Sequence, residues 1–235
     1  MNVNRFVPIF RSSAKLGGDM FTTEITGVKV AGSGWDPTFV SEVDGMTPAP
    51  GMGEPDARGY QIPVGPSQLA PLPWSNLNRI VINVSEDVKG SGLGGAFLTS
   101  DFQLYGVNTL DHSGLITAID FNPTLNAIVI SLSGPLPTDK YLLYSADGAV
   151  KDLADNSLGE VEYRFNVLIG DVNQQGAVNV ADSGLVESSD GAEVGEPGYT
   201  IFKDLNGSGV INIADRGIVT PRQGDELPDD EPIVP

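Results

Sequence analysis

Two twelve-residue segments near the C-terminal end of the chain repeat one pattern of residues in register. The first covers residues 171–182 and the second residues 204–215, so the repeat has an offset of 33 residues. Asp, Asn, Gly, Asn, Ala and Asp stand at positions 1, 3, 6, 9, 11 and 12 of both segments. The alternative interpretation is that the two segments are unrelated Asn-Gly turns, each of which joins two strands. Six matching positions in register favour two copies of one structural unit.

The spacing of oxygen-bearing residues predicts that each segment is a calcium loop of the EF-hand type. Calcium takes six to eight oxygen ligands, and such a loop supplies them from positions 1, 3, 5, 7, 9 and 12, with a glycine at position 6 for the sharp turn. Position 7 contributes its backbone carbonyl, and position 9 often acts through water. For two calcium ions, the predicted ligands are Asp171, Asn173, Gln175, Ala177, Asn179 and Asp182 in the first loop, and Asp204, Asn206, Ser208, Val210, Asn212 and Asp215 in the second.

Each predicted loop carries only two carboxylates, at positions 1 and 12, because Gln175 and Ser208 stand at position 5. A smaller ligand charge weakens calcium binding, so we expect dissociation constants on the order of micromolar to sub-millimolar. At position 8, Val178 and Ile211 are expected to pair as a short two-stranded bridge between the loops.

The pattern Asp-x-Asn-x-x-Gly-x-x-Asn-x-x-Asp, with Asp rather than Glu at position 12, resembles type I dockerin modules over residues 170–220. In that family each loop runs straight into a helix, so short helices are expected from near Asn179 and Asn212. The resemblance implies a protein partner of the cohesin kind and a place in polysaccharide-degrading or cell-surface assemblies.

Positions 10 and 11 of the loops depart from that family. Dockerins of the cellulosome type often carry Ser or Thr there, whereas this chain has Val180-Ala181 and Ile213-Ala214. The departure leaves a second interpretation open, in which these apolar residues pack the module against itself or against the preceding domain.

Before residue 170 the sequence predicts a series of short strands. The 29 glycines and 17 prolines favour turns over long helices. Alternating or β-branched runs at roughly ten-residue spacing are typical of a β-sandwich. We predict strands at residues 24–30, 35–43, 59–64, 79–84, 101–105, 116–121, 127–132, 140–144 and 161–167, with no helical period before Ile169.

Two stretches resemble immunoglobulin-like domains of large secreted bacterial proteins. Residues 78–88 match a strand followed by Ser-Glu-x-Val, and residues 141–158 match a closing turn in which Asp155 replaces the usual glycine. The predicted fold class is mainly β: an immunoglobulin-like β-sandwich followed by a small dockerin-like module with two EF-hand-type calcium loops and short helices.

The predicted organisation has four parts. Residues 1–20 are a poorly ordered N-terminus, residues 21–169 the sandwich, residues 170–222 the calcium module, and residues 223–235 a solvated acidic tail. Whether residues 1–76 add strands to the sandwich or form a separate cap stays open.

Charge and composition narrow the function classes. A net charge of −18 disfavours nucleic acid and anionic membranes as partners, because both need a basic surface. The same charge favours the binding of divalent cations, and solubility alone is the alternative explanation for it. The chain has no cysteine, which excludes disulfides and thiolate metal sites. The sequence contains no run of 18 apolar residues, so no transmembrane segment is expected. No signal peptide is evident, and the expected location, extracellular or at the cell surface, follows from the resemblance.

No catalytic residue is predicted, and the chain is interpreted as a non-enzyme. His112, the single histidine, lies in a turn-like segment, and no Gly-x-Ser-x-Gly motif accompanies it. Five aromatic residues could form a sugar-binding platform, although core positions are favoured: Trp35, Tyr60, Trp74, Tyr105 and Tyr141. Three functions therefore stay open: a module for assembly or anchoring, a calcium-rigidified end-piece of a cell-surface protein, and a carbohydrate-binding accessory domain of a glycoside hydrolase system.

Overall fold

The computed structural model describes residues 23–45 and 57–235 of the chain. The predicted N-terminal segment 1–20 and the glycine- and proline-rich residues 46–56 lie outside these residues. The helices and strands are β1 Ile25–Ala31, α1 Pro37–Asp44, β2 Tyr60–Gln61, β3 Arg79–Val84, β4 Val88–Lys89, β5 Gln103–Gly106, β6 Ile116–Asn122, β7 Ala127–Leu132, β8 Asp139–Ser145, β9 Lys151–Asp152, β10 Val161–Val167, α2 Val180–Glu187 and α3 Ile213–Val219.

Two antiparallel sheets form the larger part of the molecule. One has the strand order β2-β1-β3-β7-β6, and the other has the order β10-β8-β5. Their inner faces share one core, in which Ile80 and Ile130 of the first sheet lie with Leu143 and Phe165 of the second. Two sheets that bury apolar faces in one core form a sandwich. The prediction of a mainly β fold is confirmed.

The small sheet of β4 and β9 joins the two stretches that carry the immunoglobulin-like resemblance. Val88 pairs with Asp152, and Lys89 pairs with Lys151. In the turn that follows, Asp155 has a φ of 69°, a conformation that glycine adopts without steric cost. The Lys89 Nζ lies 2.8 Å from the Asp155 Oδ1. An aspartate therefore occupies the backbone conformation for which the resembled family uses glycine.

The strand predicted at residues 35–43 is wrong, because this segment contains helix α1. The Asp36 carboxylate accepts a hydrogen bond from the Thr38 amide at 2.8 Å, and Pro37 follows at the start of the helix, where proline is tolerated. Gly45 ends the helix in the left-handed conformation. Phe39 is completely buried in the sandwich core. The expectation of no helix before Ile169 fails for the same reason.

The C-terminal segment, residues 224–232, folds back along the molecule, while its acidic side chains stay exposed to solvent. Val178 exchanges backbone hydrogen bonds with residues 224 and 225, at 2.8 and 2.9 Å. Further on, the Lys140 ammonium lies 2.8 Å from the Glu231 carboxylate, and the Arg164 guanidinium donates to the Pro232 carbonyl at 2.6 Å. The acidic segment finds these basic partners on the outer face of the smaller sheet.

Within residues 23–45 and 57–235, no helix has the length and apolar character to cross a bilayer.

Candidate functional site

The two repeated segments, named loop 1 (residues 171–182) and loop 2 (residues 204–215), each lead into a short helix. Helices α2 and α3 begin directly after Asn179 and Asn212, which confirms the predicted starts. Each asparagine side chain accepts a hydrogen bond from the backbone amide at position 11, at 2.8 Å. The aspartate at position 12 reaches back to the asparagine amide, which completes a capping box. The repeated residues therefore encode helix starts as well as loops.

The aspartate at position 1 organises the turn of each loop. One oxygen accepts from the amide at position 5, at 3.1 Å for Asp171 and 3.0 Å for Asp204. The other accepts from the glycine amide at position 6, at 2.8 and 2.7 Å. Gly176 and Gly209 have φ values of 88° and 85° there, which explains the glycine in the repeat.

The aspartate at position 12 closes each loop. One oxygen of Asp182 accepts from the amide at position 3 at 3.2 Å, and the equivalent distance for Asp215 is 3.3 Å. The other oxygen accepts from the amide at position 9, at 2.9 Å in both loops. Positions 1 and 12 thus share four hydrogen bonds in the two copies, with lengths that agree within 0.1 Å. In loop 2, Asp215 also accepts from the Leu205 amide at 2.8 Å, whereas the equivalent Val172 amide of loop 1 donates to the Gly170 carbonyl.

All four aspartates are completely buried, with 0% exposure. Burial raises the pKa of Asp171, and the nearby Asp182 carboxylate raises it further. Burial also raises the pKa of Asp204 and of Asp215, and for Asp215 the Asp204 carboxylate adds to the effect. Among the described residues, none of the ion pairs with Lys, Arg or His involves these four carboxylates. Backbone amides offset part of this desolvation, and for Asp204 the Tyr199 hydroxyl does so as well.

The other predicted ligands surround these carboxylates with neutral oxygens. The Asn173 side-chain oxygen accepts from the amide at position 5 at 3.0 Å, and Asn206 does so at 2.9 Å. Gln175 and Ser208, at position 5, are exposed. The Ala177 and Val210 carbonyls at position 7 each accept from the position 9 side-chain amide at 3.3 Å.

Within the described residues, no group of three or more His, Cys, Asp or Glu side chains is placed to hold a metal ion. Each loop brings together two carboxylates. Its other predicted ligands are amide, hydroxyl or backbone carbonyl oxygens, and these do not come from His, Cys, Asp or Glu side chains.

The expected bridge between Val178 and Ile211 is wrong. Both backbone groups of Val178 are used by the C-terminal segment. Ile211 instead donates to the Ala192 carbonyl at 2.9 Å and accepts from the Gly191 amide at 2.8 Å. Each loop therefore pairs with its own separate segment of chain.

The apolar residues at positions 10 and 11 do not pack against the module or the sandwich, so that interpretation is wrong. Val180 is 74% exposed and Ile213 is 70% exposed, and the alanines that follow them are exposed as well. The buried apolar residues of α2 and α3 are Val186 and Val219, which join a separate small core with Val178 and Ile211.

An aromatic cluster joins this small core to the sandwich. Trp74 packs at 5.6 Å from Trp35 and at 5.5 Å from Phe202, measured between ring centroids. The Trp74 indole also donates to the Ile201 carbonyl at 3.0 Å. Trp35, Trp74 and Tyr141 are buried, as the core interpretation requires, and so they form no sugar-binding platform.

Sequence reasoning missed Tyr199, whose hydroxyl donates to an oxygen of Asp204 at 2.8 Å. Loop 1 has Asn166 at the equivalent position, so the repeat gave no signal for this contact. Burial and the Asp204 carboxylate raise the pKa of the Tyr199 phenol, which keeps it protonated as a donor.

His112 is buried beside Asp139, with 3.3 Å between its Nε2 and the Oδ2 of the aspartate. The same carboxylate accepts hydrogen bonds from the backbone amides of residues 107, 108 and 109. This pair therefore orders the turn after β5.

Comparisons with known proteins give no family. The chain matches no family profile, and no curated protein matches it. One similar solved structure is that of surface layer protein SbsC, domains 1–6, with 8% identity and a TM-score of 0.34 over 64% of this chain. That alignment covers 14% of the surface layer protein, so this chain spans a small part of its length.

A second similar structure is an N-terminal interface mutant of a type II cohesin–X-dockerin complex from Acetivibrio cellulolyticus. It has 14% identity and a TM-score of 0.25, over 55% of this chain and 84% of that one. TM-scores in this range assign neither a family nor a function to the chain.

Proposed function

We propose that the chain binds two calcium ions, one in each loop, and acts as a non-catalytic extracellular or cell-surface module for protein–protein assembly or anchoring. The observation that carries the proposal is the duplicated arrangement around four completely buried aspartates that have no cationic partner among the described residues. Buried carboxylates without a counter-charge are costly, and a bound cation offsets that cost.

The oxygens of the two loops fit a hard divalent cation. The set in loop 1 is the side chains of Asp171, Asn173, Gln175, Asn179 and Asp182 with the carbonyl of Ala177. The set in loop 2 is Asp204, Asn206, Ser208, Asn212 and Asp215 with the carbonyl of Val210. Calcium prefers such oxygen-only sets, and a bound ion supplies the positive charge that each pair of carboxylates lacks. Backbone amides donate hydrogen bonds to these carboxylates and hold them in place to bind calcium.

Helices α2 and α3 supply the surface proposed for a partner. Val180 and Ile213 stand at equivalent positions of the repeat, and both are exposed. Exposed apolar side chains at the start of two equivalent helices suit a protein partner with an apolar surface. The dockerin resemblance suggests a cohesin-like partner for this surface.

The alternative is that the module is a calcium-rigidified end-piece that binds no partner. A contact between loop 2 and the sandwich favours it, because the Asn76 side-chain amide donates to the Asn206 carbonyl at 2.7 Å and so ties the ion-binding region to the body of the molecule. A pull-down from the culture medium or cell-wall fraction with Val180→Asp/Ile213→Asp as the control distinguishes the two. A partner that the control loses supports assembly, whereas no protein captured above the level of a beads-only sample supports the end-piece.

Thermal unfolding in millimolar calcium and in excess chelator tests the binding itself. Saturation at about 100 times the dissociation constant stabilises a site by roughly 2.7 kcal/mol. Asp171→Ala and Asp204→Ala should each remove part of the gain, whereas Asp190→Ala, an exposed aspartate outside both loops, should retain it. An equal melting temperature with calcium and with chelator would refute the proposal.

A further inference from the structure

The sandwich holds the backbone of loop 2 at three successive residues. The Leu205 carbonyl accepts from the Ser75 amide at 3.0 Å. The Asn206 carbonyl accepts from the Asn76 side-chain amide at 2.7 Å. The Gly207 carbonyl accepts from the Asp36 amide at 2.7 Å. These are positions 2, 3 and 4 of the loop, so the contacts surround the proposed ligand Asn206.

Trp35 completes this contact surface and orients Asn76. Its indole Nε1 donates to the Asn76 Oδ1 at 2.7 Å, which leaves the amide nitrogen of Asn76 to face the loop. The ring also lies against Gly207, where an added Cβ would come within 2.3 Å of the Trp35 Cδ1. The fit requires glycine at position 4 of loop 2.

Loop 1 meets the sandwich differently. At its position 4, the Gln174 side chain donates to the Pro71 carbonyl at 2.9 Å. Among the described residues, no sandwich group donates to the carbonyls of residues 172–174. The flexible side chain of Gln174 reaches out from loop 1, whereas fixed groups of the sandwich reach into loop 2.

We propose that Asn76, oriented by Trp35, is a positioning residue for calcium in loop 2, and that calcium in this loop in turn fixes the C-terminal region on the sandwich. The inference rests on the proposed calcium binding. If contact with the sandwich raises the calcium affinity of loop 2, thermodynamic linkage requires that calcium strengthens the contact by the same factor. Calcium in loop 1 does not depend on Asn76.

Calcium titration calorimetry on the full chain tests this with one loop disabled at a time. Asp171→Ala leaves loop 2, and Asp204→Ala leaves loop 1. Adding Asn76→Ala removes one hydrogen bond that positions loop 2, so we expect about three- to tenfold weaker binding in the Asp171→Ala background. In the Asp204→Ala background we expect no change. Gln174→Asn, which shortens the loop 1 contact, is the matched control and should leave loop 2 unchanged.

Tryptophan fluorescence gives a second readout, because the chain has two tryptophans and both lie at this contact. Calcium should change their emission in the Asp171→Ala variant and not in the Asp204→Ala variant. Trp35→Phe keeps an aromatic ring but removes the indole donor to Asn76. It should weaken loop 2 in the same direction, which provides a test if Asn76→Ala does not fold.

The outcomes separate this inference from the proposed function. Equal weakening of both loops by Asn76→Ala would mean a general loss of stability and would overturn the positioning role. No weakening of either loop would overturn it as well. Absence of calcium binding by the unsubstituted chain would instead overturn the proposed function, on which the inference rests.

Discussion

Loops 1 and 2 share most of their internal hydrogen bonds but have different surroundings. Loop 1 is paired through Val178 with the C-terminal segment, which continues to Lys140 and Arg164 on the smaller sheet. Loop 2 lies directly against Trp35 and Asn76 of the sandwich. Twelve local residues therefore specify the geometry of a loop, whereas its coupling to the rest of the molecule depends on residues far away in sequence.

The largest difference between the loops is expected for the aspartates at position 1. Asp204→Ala leaves the Gly209 amide and the Tyr199 hydroxyl without their acceptor, whereas the Ser208 amide keeps the Asn206 side-chain oxygen. We expect it to lower the free energy of unfolding in calcium by about 4 kcal/mol. Asp171→Ala leaves only the Gly176 amide without its acceptor, because the Gln175 amide keeps the Asn173 oxygen, and it should cost about 2 kcal/mol. Urea unfolding measures both, and an equal or larger loss for Asp171→Ala would break the comparison.

Gly207→Ala should have the next largest effect. Gly207 has a φ of 67°, and its new Cβ would overlap Trp35. Strain and overpacking together should cost about 3 kcal/mol. Gly191→Ala is the matched control, since it has a φ of 86° with nothing within 4 Å of the new Cβ, and should cost about 1 to 2 kcal/mol. Equal losses in urea unfolding would show that Trp35 does not restrict loop 2.

Removal of the C-terminal segment tests the surroundings of loop 1. A chain that ends at Gln223 loses the pairing with Val178 and the contacts of Lys140 and Arg164. We expect a loss of about 2 kcal/mol in the free energy of unfolding. Calorimetry in the single-loop variants should show weaker calcium binding by loop 1 and little change for loop 2. A larger loss of calcium affinity in loop 2 than in loop 1 would contradict the description of the loops.

The smallest effect is expected from pH. Burial raises the pKa of Asp171, Asp204 and Asp215 above the ordinary value, so the calcium-free folded state favours their protonated forms. That stabilisation is present below the ordinary carboxyl pKa and is lost as pH rises through the raised values. Calcium competes with these protons, so its effect on the melting temperature should be larger at about pH 7 than at about pH 5. A calcium effect that increases on acidification would contradict this assignment.

The sequence predicts best the features that local residues determine. The starts of α2 and α3 follow from Asn179 and Asn212, which cap the helices within the repeat itself. The strands of the sandwich follow from runs of apolar residues, such as Arg79–Val84 and Ala127–Leu132. These features require no knowledge of the tertiary fold.

Features that depend on contacts distant in sequence were missed. Helix α1 is a local exception, because the aromatic and β-branched residues around Phe39 predict a strand and obscure the cap formed by Asp36. The contact of Asn76 with Asn206 spans 130 residues. The pairing partners of Val178 and Ile211 were also wrong, because each is completed by a segment whose sequence carries no strand signal.

The most direct test of the central claim is the stoichiometry of calcium binding, measured by titration calorimetry on the full chain and on Asp171→Ala, Asp204→Ala and the double variant. We expect two bound ions per unsubstituted chain, one in each single variant and none in the double variant. Unchanged stoichiometry in the double variant, or no binding by the unsubstituted chain, would contradict it.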